Sequence, residues 1–336
     1  MDDLALYGKD LFGEVIKPKS SGPVAERFTI PPFTILDARQ GEWQERKRAW
    51  LAMGVKGEAG RDNGLLMNGA AAWQSLNSQE GRPEKLHGFS DSLLKMSVGY
   101  FNEDGTARPT SDTSVFDPVI CELAYRWFSP ERGQIVDPFA GGSVRGIVAG
   151  ALGRQYWGCD LRQEQIDANK LQADAIDPAV RPIWVCGDSM EKLHDAPEAD
   201  MVFSCPPYGD LEKYSDDPAD LSSMEWHTFV AAYKRIILRS VQKMKPDTFA
   251  CFVVGDFRDP KGHYRNFVST TIEAFEECGA RLYNEAILAT SVGSAAMRVT
   301  KQFTSGRKMA KTHQNVLVFV KGDWRKSAAK CNGGEE

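Results

Sequence analysis

Short apolar segments alternate with stretches of helical spacing between about residues 112 and 322 of this 336-residue chain. Strands that alternate with helices predict a parallel sheet covered by helices on both faces. Seven strands are predicted, at 134–137, 155–159, 182–186, 200–204, 248–254, 281–289 and 314–320. No helix is predicted between the last two strands, so we expect them to form an antiparallel pair at the end of the sheet.

Helical spacing separates the other strands. Four helices are predicted, at 143–152, 162–175, 222–244 and 264–278. A further helix is expected before the first strand, with Asp117 as its N-cap and Pro118 at its first helical position. Ser222 and Glu225 have the spacing of a capping box, which predicts the start of the helix at 222–244.

The first 110 residues are rich in glycine, proline and mixed charge, and they predict an irregular region. One exception is 43–53, where Trp43, Trp50 and Leu51 predict the apolar side of a short helix, with Arg46 and its charged neighbours elsewhere. We therefore expect three parts: a possible recognition or accessory segment at 1–110, one domain at 111–322, and a flexible tail at 323–336.

Composition limits the class of protein. The chain has no apolar run of about eighteen residues, which a membrane helix would need, and its acidic N-terminus does not resemble a signal peptide. Its seven cysteines form no CxxC pair and no Cys/His cluster, so we expect reduced thiols in the cytoplasm and no metal. The net charge is −5, yet the segment between residues 298 and 330 contains nine Lys or Arg residues and only one acidic residue. That strip is either a solvated face or a phosphate-binding surface.

Two short motifs follow predicted strands. The first, DPFAGGS at 137–143, has glycines that let a backbone turn sharply and approach a ligand closely. Acids follow three successive strands, at Asp137, Asp160 and Asp188, and each is open to interpretation as a helix N-cap. Alternatively, Asp137 holds loop amides or receives a ligand ammonium, Asp160 accepts from ribose hydroxyls, and Asp188 accepts from an adenine amino group. Acids at these positions suit a cationic, nucleoside-like cofactor that brings no phosphate.

The second motif is SCPPY at 204–208. Two prolines fix the backbone and remove two amide donors, so the neighbouring carbonyl groups can accept hydrogen bonds from a ligand. The ring of Tyr208 then offers a stacking surface for an unstacked base. The simpler interpretation is a turn after an apolar strand.

These two motifs, in this order, resemble those of the amino-group DNA methyltransferases, which use S-adenosylmethionine and form N4-methylcytosine or N6-methyladenine. The resemblance covers roughly residues 112–322, and the N-terminal region is similar to segments of phage-encoded methylases. It implies an α/β, class I methyltransferase (Rossmann-like) fold with a mostly parallel seven-stranded sheet and an antiparallel last strand. It also implies DNA as partner, S-adenosyl-L-methionine as cofactor and a role in DNA methylation of the restriction–modification type.

The resemblance also assigns residues to the site. The implied cofactor-binding residues are Asp117, Pro118, Asp137, Phe139, Ala140, Gly141, Gly142, Asp160, Asp188 and Ser189. The residues implied to hold the base and carry the reaction are Ser204, Cys205, Pro206, Pro207 and Tyr208.

The chain departs from the family pattern at two positions. Ser143 stands where the family has its second glycine, and Cys205 stands where the family has Asp, Asn or Ser. Cysteine is closest in shape to serine, which is common at this position in the cytosine-N4 enzymes of the family, so the resemblance slightly favours cytosine N4 over adenine N6. A thiol accepts hydrogen bonds poorly, so a proline carbonyl or Ser204 must help. The alternatives are cytosine-C5 methylation through Cys205, an RNA base methyltransferase, and a DNA-binding regulatory protein with a degenerate methylase domain.

Recognition of DNA is expected from residues 1–110, from the loop at 209–220, or from the segment at 290–311. In the last of these, basic residues interleaved with small ones suit phosphate contacts. The predicted DNA-binding residues are Arg298, Lys301, Arg307 and Lys308, and Arg46, Lys47 and Arg48 are a second candidate set.

Overall fold

The computed structural model describes residues 6–7, 22–55, 116–209, 215, 217–292 and 295–333. Within these parts of the chain, eight strands form a single sheet. The strands are β1 (Ile35–Asp37), β2 (Gln134–Asp137), β3 (Gln155–Asp160), β4 (Ile183–Cys186), β5 (Ala199–Ser204), β6 (Met244–Val254), β7 (Ala280–Ala289) and β8 (His313–Lys321). Their order across the sheet is β1-β7-β8-β6-β5-β2-β3-β4.

The pairing of these strands matches the predicted fold class. The neighbours of β2 and β5 are all parallel to them, whereas β8 lies antiparallel between β6 and β7. Without β1, the sheet is the mostly parallel, seven-stranded class I methyltransferase sheet with an antiparallel last strand, as expected. The additional strand β1 pairs in parallel with β7 at the edge, and the sequence did not predict it.

Helices flank the sheet. They are α1 (Pro23–Phe28), α2 (Gly41–Ala52), α3 (Pro118–Phe128), α4 (Val144–Ala151), α5 (Gln163–Ile176), α6 (Ser189–Lys192), α7 (Trp226–Lys243), α8 (Phe267–Glu277), α9 (Ala295–Gly306) and α10 (Trp324–Cys331). The expected N-cap of α3 is confirmed, since Asp117 Oδ1 accepts from Val119 N at 2.9 Å. In the described part of the chain, no helix has the length and apolar character needed to cross a membrane.

The strands in the middle of the sheet are buried on both faces. Ile135 of β2 joins the apolar cluster that includes α3 and α4, whereas its neighbour Val136 joins the cluster that includes α7 and α8. Strands with two covered faces read as continuous apolar runs, which is why the sequence showed them clearly. Because β2, β3, β4 and β5 run parallel to one another, their carboxyl ends lie along one edge of the sheet.

Two predictions about helices near the end of the chain were wrong. The segment between β7 and β8 contains the helix α9, whose apolar positions Val299 and Phe303 are separated by Thr, Lys and Gln and remain partly exposed. A surface helix without a dense apolar stripe gives a weak periodic signal. The predicted flexible tail contains α10, which begins after Asp323, whose carboxylate accepts from the backbone N–H groups of Arg325 and Lys326.

The capping box predicted at residues 222–225 was also wrong. Asp220 caps a short 3₁₀ turn instead, with its Oδ1 accepting from both Ser222 N and Ser222 Oγ. The helix α7 begins only at Trp226, and the side chain of Glu225 makes no capping hydrogen bond. Asp220 therefore accepts from the backbone N–H of Ser222, which a capping box would have paired with the side chain of Glu225.

The predicted helix at 43–53 is α2, but its sides differ from the prediction. Leu51 is 44% exposed, whereas Arg46 is only 4% exposed. Arg46 donates through Nε and Nη2 to both oxygens of the fully buried Glu122 of α3, at 2.6 Å each, and Trp50 Nε1 donates to the same carboxylate at 2.8 Å. Arg46 therefore fixes α2 onto α3, and its candidacy as a DNA contact is wrong because its side chain is buried.

Candidate functional site

A cavity of about 510 Å³ lies at the carboxyl ends of β2 to β5. Residues from both sequence motifs line it, among them Gly141 of the first motif and Tyr208 of the second. Open α/β sheets place ligands at this edge, beyond the carboxyl ends of their parallel strands. The size is within the usual range of ligand pockets.

The glycine loop is held by the next strand. Gly141 has φ of 50°, a left-handed conformation that favours glycine, and its N–H donates to Asp160 Oδ2 at 3.0 Å. Its carbonyl accepts from Asn169 Nδ2 of α5 at 2.7 Å. Burial raises the pKa of Asp160 above its ordinary value, although the N–H groups of Arg162 and Gly141 act in the opposite direction. Asp160 and Gly141 thus form a rigid wall of the cavity.

Asp137 points into the protein and does not line the cavity. Its side chain is fully buried; Oδ1 accepts from Phe139 N at 3.1 Å and Ser204 Oγ at 2.5 Å, and Oδ2 accepts from Arg145 Nε at 2.6 Å and Tyr156 OH at 2.7 Å. Of its two expected roles, holding a loop amide is the one the structure shows. Its assignment as a direct cofactor ligand is contradicted, because its oxygens already accept from these four groups away from the cavity.

The remaining predicted cofactor residues fall into two sets. Those that line the cavity are Asp117, Phe139, Gly141, Gly142, Asp160, Asp188 and Ser189. Pro118 and Ala140 are buried and do not line it. The N-cap interpretation holds for Asp188, whose Oδ1 accepts from Met190 N at 2.8 Å. That bond occupies one oxygen of a carboxylate that also borders the cavity.

The second motif is divided in the same way. Cys205, Pro206, Pro207 and Tyr208 line the cavity, whereas Ser204 is fully buried and donates to Asp137. The expectation that Ser204 helps to bind a base is therefore wrong, since its hydroxyl faces away from the cavity.

The ring of Tyr208 is fixed by contacts that the sequence did not indicate. Its hydroxyl accepts from Gln314 Nε2 of β8 at 2.6 Å. Phe257 and Phe267 meet the ring edge-on, with centroids 6.2 Å and 6.1 Å away. Gln314 also lines the cavity, and only its position near the start of the last strand could have pointed to it.

The predicted DNA-binding residues lie on the surface. Arg298 and Lys301 are exposed on α9, and Arg307 and Lys308 are exposed immediately after it; none of the four lines the cavity. Lys311, after these residues, and Tyr208 both approach Gly255: a Cβ placed there would lie 3.7 Å from Lys311 Cε and 3.9 Å from Tyr208 Cε1. Burial lowers the pKa of Lys311 below its ordinary value.

Some of the sequence-based proposals cannot be located. Half of the loop at 209–220, namely residues 210–214 and 216, lies outside the described residues, as do residues 1–5, 8–21 and 56–110 of the N-terminal region. Among the residues that are described, no group of three His, Cys, Asp or Glu side chains is placed to hold a metal ion.

Comparison with known proteins found similar solved structures only. No family model and no curated protein matches the chain. Similar structures include TrmN from Thermus thermophilus, with 13% identity, a TM-score of 0.42, and coverage of 61% of this chain and 49% of that chain. A precorrin-6y C5,15-methyltransferase from Geobacter metallireducens has 13% identity and a TM-score of 0.40, over 61% of this chain and 87% of its own.

A magnesium protoporphyrin IX methyltransferase from Synechocystis, solved with bound S-adenosylmethionine, has 9% identity and a TM-score of 0.40, over 76% of this chain and 92% of its own. The chain spans about half the length of the TrmN chain that it matches. Identities and TM-scores of this size do not identify the reaction or the substrate of this chain.

Proposed function

We propose that this chain transfers a methyl group from S-adenosylmethionine to an exocyclic amino group of a DNA base, with cytosine N4 slightly favoured over adenine N6. One observation carries the proposal: the glycine loop and the Pro-Pro-Tyr segment line the same cavity. A donor held by the first and a planar base held by the second would meet there.

The side chains around the cavity fit this cofactor. Asp160 and Asp188 offer carboxylate oxygens to ribose hydroxyls and to an adenine amino group, and their negative charge favours a sulfonium over a pyrophosphate. The left-handed turn at Gly141 lets the backbone approach a ligand without a Cβ in the way. When bound, S-adenosylmethionine supplies the electrophilic methyl group.

The Pro-Pro-Tyr segment suits the acceptor. The carbonyl groups beside Pro206 and Pro207 can accept hydrogen bonds from an amino group, which draws its nitrogen toward tetrahedral geometry and aims its lone pair at the methyl group. Tyr208 supplies a ring already held by Gln314, so little side-chain freedom is lost when a base stacks on it. In the transfer, the nitrogen would form a bond to the methyl carbon as the methyl–sulfur bond breaks, the cofactor would leave as a neutral thioether, and the proton of the nitrogen would pass to water.

Cys205 supports a second candidate reaction. Cys205 lines the cavity, as a nucleophile for covalent cytosine-C5 methylation would. Amino methylation needs no covalent bond to the base, and the carbonyl groups beside the prolines then replace the weakly accepting thiol. The two reactions differ in the atom methylated and in what a Cys205 substitution does.

The basic surface supports DNA as the partner. Lys311 and Tyr208 both approach Gly255, and the exposed Arg298, Lys301, Arg307 and Lys308 precede Lys311 in the same segment. Cations in such a row suit the phosphates of a strand whose base enters the cavity.

The direct test uses the purified protein. It is incubated with S-adenosylmethionine carrying a tritiated methyl group and, in separate reactions, with duplex DNA and with RNA, and the products are digested to nucleosides. Label in N4-methylcytosine or N6-methyladenine from DNA supports the proposal. Label in 5-methylcytosine supports the covalent alternative, label only in RNA reassigns the substrate, and no stabilisation of the protein by the cofactor in a thermal melt rejects the methyltransferase reading.

A further inference from the structure

A lysine and an aspartate form an ion pair in the cavity wall. Lys47 of α2 and Asp117, the N-cap of α3, both line the cavity, and Lys47 Nζ lies 3.0 Å from Asp117 Oδ2. The sequence had placed Lys47 in a candidate set of DNA contacts. The structure instead brings it to the cavity beside an acid that the family resemblance assigns to the cofactor.

Both members of the pair retain hydrogen-bonding capacity. An ammonium group has three donors, and within the described residues the one hydrogen bond of Lys47 Nζ goes to Asp117. Asp117 accepts from three donors, which are Lys47, Trp43 Nε1 at 3.2 Å and Val119 N, whereas a carboxylate has about four lone-pair positions. The pair can therefore bind an acceptor and a donor in addition to each other.

The other cations in the cavity wall are occupied differently. Arg145 donates to the carboxylate of Asp137 and to the carbonyl of Ala140. Arg162 donates to Gln165 Oε1 at 2.9 Å, and its backbone N–H donates to Asp160. Arg162 keeps further N–H donors, but it lies beside Asp160, which is proposed to bind the ribose hydroxyls. Among the described residues that line the cavity, Lys47 is the cation whose ion-pair partner, Asp117, also lines it.

We propose that Lys47 and Asp117 bind the amino-acid group of the cofactor, with Lys47 donating to its carboxylate and Asp117 accepting from its ammonium. This inference rests on the proposed function, since it names the part of S-adenosylmethionine that these two residues contact. The amino-acid group is a zwitterion, so its two charges complement the two charges of the pair and none is left without an opposite charge.

The buried contacts of α2 explain how Lys47 is positioned. Arg46, its neighbour in the chain, binds both oxygens of Glu122 in α3, and Trp43 binds Asp117 directly. The helix that carries Lys47 is therefore fixed against the helix that Asp117 caps. By this inference the N-terminal region contributes a wall of the cofactor site.

The test isolates the carboxylate by comparing S-adenosylmethionine with its decarboxylated analogue in titration calorimetry. The wild-type protein should bind S-adenosylmethionine more tightly than the decarboxylated analogue, and this comparison needs no variant. Lys47→Met should weaken binding of S-adenosylmethionine about ten- to hundredfold and leave binding of the analogue unchanged, because only the former carries the carboxylate. Lys47→Arg should retain most of the affinity, and Lys170→Met, on the exposed side of α5, should match wild type for both ligands.

The outcomes separate this inference from the proposed function. If wild type binds both ligands equally, or if Lys47→Met weakens both to the same extent or neither, the contact with the carboxylate is overturned while the methyltransferase proposal stands. If wild type binds neither ligand, the proposed function fails, and the inference fails with it.

Discussion

Replacing Asp137 by Asn should destabilise the protein strongly, although a strand-end aspartate in a glycine motif looks like a ligand-binding residue. The carboxylate is fully buried and lies 2.6 Å from the guanidinium of Arg145, whose pKa it raises against the opposing effect of burial. Asn removes the negative charge and turns one acceptor into a donor. Arg145 is then left buried without its counter-charge.

The size of the effect follows from these contacts. Removing one partner of a buried ion pair costs about 3–5 kcal/mol, because the remaining charge stays desolvated. Asn also lacks an acceptor for one of the two hydroxyl donors, Tyr156 and Ser204. We expect a loss of about 3–5 kcal/mol in the free energy of unfolding, against a total of about 5–15 kcal/mol for a typical domain.

The measurement is urea unfolding at pH 7, with Asp200→Asn as the matched control. Asp200 also pairs with a cation, Lys245, at 2.8 Å, but the pair is partly exposed, so the control should lose no more than about 1 kcal/mol. An unfolding free energy for Asp137→Asn within 1 kcal/mol of wild type would refute the reasoning. Lost cofactor affinity with unchanged unfolding would return Asp137 to the role of a direct ligand.

Three further predictions concern the site and α2. Tyr208→Ala should abolish methyl transfer and leave cofactor binding intact in calorimetry, since the ring is proposed to stack on the base; full activity in the tritium assay contradicts that role, and Tyr283→Ala on the surface should retain activity. Cys205→Ser should keep activity if an amino group is methylated and lose it under covalent C5 chemistry, as nucleoside analysis will report. Burial acts to raise the pKa of Glu122, but the hydrogen bonds and charge of Arg46 outweigh it and hold that pKa below its ordinary value. Its stabilising contribution should therefore be complete above about pH 4.3 and decrease as the pH falls through the lowered pKa, so that wild type and Glu122→Gln converge in acid unfolding curves; a pH-independent difference between them would contradict this.

The sequence predicted those strands whose own residues are buried in the core. A strand such as β2 is buried on both faces and shows as an apolar run. The edge strand β1 has three residues, of which only Leu36 is buried, and its pairing with β7 supplies the stability that its own pattern does not show. In α9 the apolar positions are few and partly exposed, so helical spacing alone was too weak to predict it.

At the site, the sequence predicted the features that depend on the residue type alone. Gly141 adopts a backbone conformation that favours glycine, and Pro206 and Pro207 lack amide donors whatever surrounds them. The direction of the Asp137 side chain could not be predicted in this way, because it depends on hydrogen-bonding partners elsewhere in the chain. The available signal was Arg145 within the otherwise apolar α4, since a charged residue in an apolar helix requires a buried partner.

The same buried carboxylate also couples the two motifs. Asp137 accepts from Phe139 N in the glycine loop and from Ser204 Oγ at the start of the second motif, 67 residues later. Because β2 and β5 are direct neighbours, one side chain sets the distance between the loop proposed to hold the donor and the segment proposed to hold the base. Methyl transfer needs the reacting atoms aligned at about 3–3.5 Å, so a displacement of about 1 Å in either segment would slow it severely. Asp137 is therefore expected to act on the reaction through this alignment, although it does not line the cavity.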